Sequence, residues 1–225
     1  MVRVAIPALD QKVLVPAGHY RHYRVNQPLA MAAVAMLVAL PWLNPVTFGP
    51  SAAMVQWLLS VVAGAGLLCV AAWSGFTGGA MARSAWGRGL AWGWLLAGLL
   101  SSLIALLQYT GHSAAWAPWV NLTPAGEAFA NLRQRNQFAT LTNMALASLC
   151  WVVVSAQGAR VRWLHVGLAM LLGLGNAASA SRTGLLQLGL LAGLVVLWGG
   201  WRHASVRWVL LAAVLAYGLA LVLLP

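Results

Sequence analysis

Acidic side chains are almost missing from this sequence: Asp10 and Glu127 are the only two in 225 residues, and charged residues of both signs make up just 7%. Soluble domains carry roughly 25% charged residues, so this chain has too little charge to coat a water-facing surface. Cysteine is nearly absent too. Cys69 and Cys150 lie inside apolar runs, which argues against a disulfide and against a metal site built on them. The strict alternation of apolar and polar residues that a membrane barrel requires is lacking, and that excludes a porin-type fold. Residues 1–27 contain Asp10, Lys12, prolines and histidines but no apolar core of a signal peptide, so the first apolar run is expected to act as its own anchor. There is no internal repeat and no low-complexity linker, which points to one domain.

What is present is hydrophobic sequence, 62% of the chain, with a mean hydropathy of +0.82. Seven apolar stretches stand out: Pro28–Val46, Ser51–Trp73, Gly89–Thr110, Asn136–Ser155, Trp163–Ala180, Gly184–Trp201 and Val206–Pro225. Each suits a hydrocarbon core about 30 Å thick at 1.5 Å rise per residue. The expected fold is all-α: a polytopic transmembrane bundle of about seven helices over residues 28–225, preceded by a tail at 1–27. An outer loop at 111–135 and a hairpin tip at 181–183 complete the scheme.

Net charge +11 and a pI near 11.5 do not call for nucleic acid here, because basic loops orient membrane helices. Arg3, Lys12, Arg21, Arg24, Arg83, Arg88, Arg160, Arg162, Arg202 and Arg207 fall on one side of the alternating loops. Arg133, Arg135 and Arg182 fall on the other. This imbalance places the N-terminus in the cytoplasm. Trp73, Trp86, Trp163, Trp201 and Trp208 then flank inner helix ends and Trp42, Trp116 and Trp119 outer ones, as amphipathic indoles do at an interface.

The three outer arginines oppose the orienting bias and need another reason. Cations near membrane depth are costly and face a wet cavity or an anionic partner. Guanidinium suits bidentate contact with phosphate oxygens. Arg133 and Arg135 belong to the run Asn131-Leu132-Arg133-Gln134-Arg135-Asn136-Gln137-Phe138-Ala139, just ahead of the fourth apolar stretch, and Arg182 to Ser181-Arg182-Thr183-Gly184. Asn136, Thr140 and Asn143 follow at helical spacing and make one polar stripe, and Arg133 and Gln137 are four apart if the helix starts early enough. Thr183 and Gln187 repeat that spacing on the sixth helix, and Asn176 sits late in the fifth. Such amides and hydroxyls can equally serve only to join helices by hydrogen bonds.

Thr123-Pro124 with Glu127 predicts a short interfacial helix with Thr123 at its N-cap. Glu127 can pair with an arginine or act as a base, and pairing is the better-supported role. Among the histidines only His112 shares the outer face, at a helix end that suits an interfacial role, so no catalytic base is evident there. The small residues Gly173, Gly175, Ala177, Ala178, Ser179, Gly184, Gly189 and Gly193 are expected to permit close helix packing.

The run from Asn131 to Ala139, followed about 40 residues later by Ser181-Arg182-Thr183-Gly184, resembles the bacterial pilin-type O-oligosaccharyltransferases of the PglL type, in one superfamily with the O-antigen ligases and polymerases. The resemblance implies transfer of an oligosaccharide from undecaprenyl pyrophosphate at the periplasmic face of the inner membrane to Ser or Thr hydroxyls of a pilin or other exported protein. In the ligase branch the acceptor is lipid A–core sugar. It implies no cofactor: neither a nucleotide sugar nor a metal is required. Carried onto this sequence, Arg133, Arg135 and Arg182 would hold the pyrophosphate, with Gln134, Asn136 and Gln137 orienting sugar or phosphate oxygens and Thr140, Asn143 and Thr183 supporting them. Family members are longer and carry a histidine in a large periplasmic loop, a part no residue here can take, so the resemblance is to an N-terminal half. A non-catalytic transporter or binding subunit for a lipid-linked glycan would use the same arginines for binding only.

Overall fold

The computed structural model describes residues 27–45, 47, 52–74, 80–155 and 163–224. These residues fold into helices because their Leu-, Ala- and Met-rich runs favour helix and carry few charged side chains, and in an apolar medium only a helix satisfies every backbone group within the segment. Among the described residues seven helices form: α1 (Gln27–Leu43), α2 (Ala52–Ser74), α3 (Ala80–Tyr109), α4 (Arg135–Ser155), α5 (Trp163–Ala178), α6 (Arg182–Leu197) and α7 (Ala204–Leu223), with short 3-10 turns at Ser113–Trp116 and Gly200–Arg202. There is no strand among the described residues. The fold is therefore all-α, and α2, α3, α4 and α7 are long and apolar enough to cross a membrane. The expected tail at 1–27 lies outside the described residues except for Gln27.

Several boundaries differ from expectation. Helix α3 begins at Ala80 and not at Gly89, so Arg83 and Arg88 fall inside it. Hydropathy ends at the arginines, but arginine is a good helix former and the helix runs on through them. Helices α5 and α6 are each 16 residues, shorter than the apolar runs that predict them. The chain turns out of α5 at Ala180, φ 50°, and out of α6 at Gly199, φ 75°, both left-handed conformations that end a helix. At the far end of α1, Asn44 (φ 35°) performs the same stop, its N–H donating to Leu40 O at 3.1 Å, and Pro45 cannot extend the helix.

Helices α3 and α4 form the centre. α1 packs along α3, α5 and α7 pack together, α6 lies on α4, and α2 touches the rest chiefly through α1. Only 6% of the α2 span is buried inside the protein, against 61% for α4. Close approaches are made by glycine: a Cβ on Gly93 would come 2.7 Å from Ala35 O of α1, and one on Gly173 would collide with Ala213 O of α7. Gly175 and Gly184 are similarly crowded. Gly189 and Gly193 are not packing sites, because a Cβ on either would meet open space.

Candidate functional site

One end of the bundle is closed by residues 110–134, folded onto the helices by two amides. Gln108, in the last turn of α3, is fully buried. Its Nε2 donates to Asn121 O at 3.1 Å and Ala130 O at 2.8 Å, while its Oε1 accepts from Phe129 N at 3.1 Å and Ala130 N at 2.8 Å. All four hydrogen-bonding positions of the amide are thereby used. Asn131 is the second fastening. Its Oδ1 accepts from Asn121 N at 3.1 Å, and its Nδ2 donates to Trp119 O at 2.8 Å and to Leu43 O, at the end of α1, at 3.1 Å. Asn44 Nδ2 returns a bond to Asn131 O at 3.3 Å. Ala128, Ala130 and Leu132 insert between α3, α4 and α5, beside Ala105, Phe138 and Ala178.

The expected helix at Thr123 is absent. The Thr123 hydroxyl donates to Glu127 O at 3.1 Å instead of capping a helix, and Glu127 N donates to Pro124 O at 3.2 Å across a turn. Gly126 holds φ at 84°, which no helix accepts and which suits the third position of a type II turn.

This platform delivers the Arg-Gln-Arg-Asn-Gln run to the start of α4. Arg135 is the first helical residue, so Arg133 and Gln134 precede the helix and the four-residue helical relation between Arg133 and Gln137 does not form. Across from them, α5 and α6 meet in a tight turn. Ser181 caps α6 by accepting from Gly184 N at 3.3 Å, and its Oγ also donates to Asn136 Oδ1 at 2.8 Å. That bond joins the two arginine-bearing segments. Arg182 and Thr183 consequently sit in the first turn of α6, and the hairpin connection is Ser179–Ser181, not 181–183.

The charges divide into two kinds. Arg135 Nη2 lies 3.0 Å from Glu127 Oε1, with side chains 46% and 42% exposed. Arg133 and Arg182 are exposed and have no ion-pair partner among the described residues. Gln134 is exposed as well. The polar stripe of α4 faces α6 below this point: Gln187 Nε2 donates to Thr140 Oγ1 at 3.0 Å, and Asn143 Nδ2 donates to Gly184 O at 3.1 Å. Thr140 and Asn143 therefore fasten α4 to α6 beneath the arginines. Asn136 straddles both parts, fastened to Ser181 yet exposed. Thr183 is half-buried.

Gln137 points another way. Its Oε1 is buried without a hydrogen-bond partner, and it borders a cavity of about 340 Å³ that Leu37, Pro41, Trp42, Ser60 and Trp94 also line. Trp42 and Trp94 stack edge to face there, ring centres 5.2 Å apart. His112, the one histidine assigned by sequence to the arginine side, is exposed, its Nδ1 3.0 Å from Thr110 Oγ1.

Sequence reasoning missed Gln108 altogether and gave Asn131 no role. The only signal was a lone amide one turn from the end of an apolar stretch, which by composition looks like any interhelical seam residue.

Residues 128–152 match the family model described as protein glycosylation ligase (PglL_A). The matched stretch begins in the inserted platform and runs through Arg133–Gln137 along most of α4. No curated protein and no solved structure matches the chain.

Proposed function

We propose that this chain is the donor-binding part of a membrane glycosyltransferase that passes an oligosaccharide from undecaprenyl pyrophosphate to Ser or Thr hydroxyls of exported proteins, at the periplasmic face of the bacterial inner membrane. The observation that carries the proposal is the 2.8 Å bond from Ser181 to Asn136. It gathers Arg133, Arg135 and Arg182 at one bundle end, within and beside the stretch that matches a glycosylation ligase. Helices α4 and α6 both begin at this end, so the positive ends of their dipoles add to the field that a leaving pyrophosphate requires. Arg133 and Arg182 would grip phosphate oxygens, and Gln134 and Asn136 would orient the sugar.

The cavity beside Gln137 is apolar apart from a few amide and hydroxyl groups and opens among helices that face lipid. It suits the first isoprene units of the carrier, with the Gln137 amide near their polar end. Helix α6 rises only about 24 Å over its 16 residues, less than a hydrocarbon core of about 30 Å, and this would set Arg182 below the headgroup level.

The test is binding of a polyprenyl pyrophosphate to the purified protein in nanodiscs. Arg182→Lys keeps the charge but loses the planar fork, and should weaken binding about tenfold. Arg182→Ala and Arg133→Ala should weaken it further. Equal binding by wild type and all three variants would sink the proposal, because solvated loop cations would behave that way.

A further inference from the structure

The three arginines are not equivalent. Arg133 and Arg182 are open, whereas Arg135 is already engaged by Glu127 at 3.0 Å. Glu127 is the only glutamate in the chain, and the other acidic residue, Asp10, lies far off in sequence. It stands on the turn at Pro124–Glu127, whose Gly126 N is tied to Tyr109 O at 3.0 Å, so the carboxylate is presented by a platform anchored on α3. Both partners remain almost half exposed, which makes the pair reachable by a soluble or lipid-borne anion.

We propose that Glu127 is a place-holder for the second phosphate of a diphosphate ligand: a single phosphate is held by Arg133 and Arg182, while a diphosphate also takes Arg135 and releases Glu127. This inference rests on the anion-binding role proposed above and adds an ordered exchange to it. The physical grounds are matching chemistry and modest strength. A carboxylate and a phosphate offer the same paired oxygens to a guanidinium, and a half-exposed ion pair is worth too little to resist a more highly charged competitor. In the empty protein Glu127 keeps the Arg135 side chain oriented and reduces repulsion among three cations. In the occupied protein it becomes a free carboxylate at the edge of the site.

The sequence makes the exchange directly observable, because glutamate labelled at its carboxyl carbon reports only Glu127 as a carboxylate. The chain, reconstituted in phosphatidylcholine bilayers with that label and with 15N-arginine, should show a dipolar contact between the carboxylate and a guanidinium, and Arg135→Gln should abolish it. Adding inorganic pyrophosphate, or doping the bilayer with a polyprenyl pyrophosphate, should remove the contact, while inorganic phosphate at equal occupancy should leave it. Loss with both diphosphates shows that the group alone suffices, and loss with the lipid-borne one only assigns the exchange to a lipid headgroup. Glu127→Gln should bind inorganic pyrophosphate roughly two- to fivefold more tightly. A contact that persists while calorimetry shows pyrophosphate bound overturns the exchange but leaves the anion site standing. Loss of the contact with phosphate alone overturns the diphosphate assignment. No binding of either diphosphate to wild type or to Glu127→Gln overturns both.

Discussion

Ser181 and Asn136 are 45 residues apart in sequence and share a 2.8 Å hydrogen bond at the start of two different helices. The same Ser181 oxygen caps α6 through Gly184 N. One hydroxyl thus sets where α6 begins and how it stands against α4, and the flanking Arg135 and Arg182 inherit that geometry.

Replacing Ser181 by Ala removes both the cap and the cross-helix bond. The expected loss is about 1–2 kcal/mol, read as a lowered thermal midpoint in detergent. Polyprenyl pyrophosphate binding should weaken at temperatures where the protein is still folded. Unchanged stability and binding would refute the role given to this hydroxyl.

Gln108 and Gln137 make a sharper pair. Gln108→Leu strands the N–H groups of Phe129 and Ala130 together with the Asn121 carbonyl, whereas Ala130 O keeps its bond from Asn121 Nδ2 at 3.2 Å, at a cost of about 3 kcal/mol or more. Limited proteolysis should then cut within residues 110–134 while helix content holds. Gln137→Leu removes an oxygen that has no partner and should be close to neutral for stability, yet it should weaken binding of the lipid-linked donor. Equal sensitivity of the two sites would contradict the assignment.

Two glycines separate packing from ornament. Gly173→Ala drives a methyl into the Ala213 backbone and should destabilise by about 1–3 kcal/mol. Gly193→Ala meets open space and should be neutral or slightly stabilising, since alanine is the better helix former. Thermal scans of the two variants side by side decide this.

The proposed orientation is tested on cells. With Cys69 and Cys150 replaced by Ala, Trp116→Cys, on the exposed turn at Ser113–Trp116, should react with a membrane-impermeant maleimide added from the periplasmic side. Arg202→Cys, in the turn at Gly200–Arg202, should react only after lysis. The reverse pattern would overturn the periplasmic placement of the site.

Much of the fold was legible in the sequence because hydropathy reports which segments are apolar enough to be helices in lipid. All seven apolar stretches correspond to helices α1 to α7. Their ends were less legible. Hydropathy stops at Arg88, where the α3 helix does not, and continues through Ala180 and Trp198, where backbone geometry ends α5 and α6. The site was legible as a set of residue types, since arginines that oppose the orienting bias stand out by sign and place. Their inequality was not. Nothing in the spacing of Glu127 and Arg135 says that they pair, because the seven positions between them pass through an irregular platform with no fixed period.

Composition and the length of the apolar stretches by themselves determined that this is a multi-helix membrane protein, because so few charges cannot coat a water-facing surface and a helix satisfies its own backbone in lipid. Tertiary structure alone decided that Gln108 and Asn131 fold the connecting segment into the bundle end, and that α4 and α6 start side by side. It also decided which arginines stay open. Those outcomes depend on hydrogen bonds between groups brought together from distant parts of the chain, whose short range and directionality leave no trace in local sequence pattern.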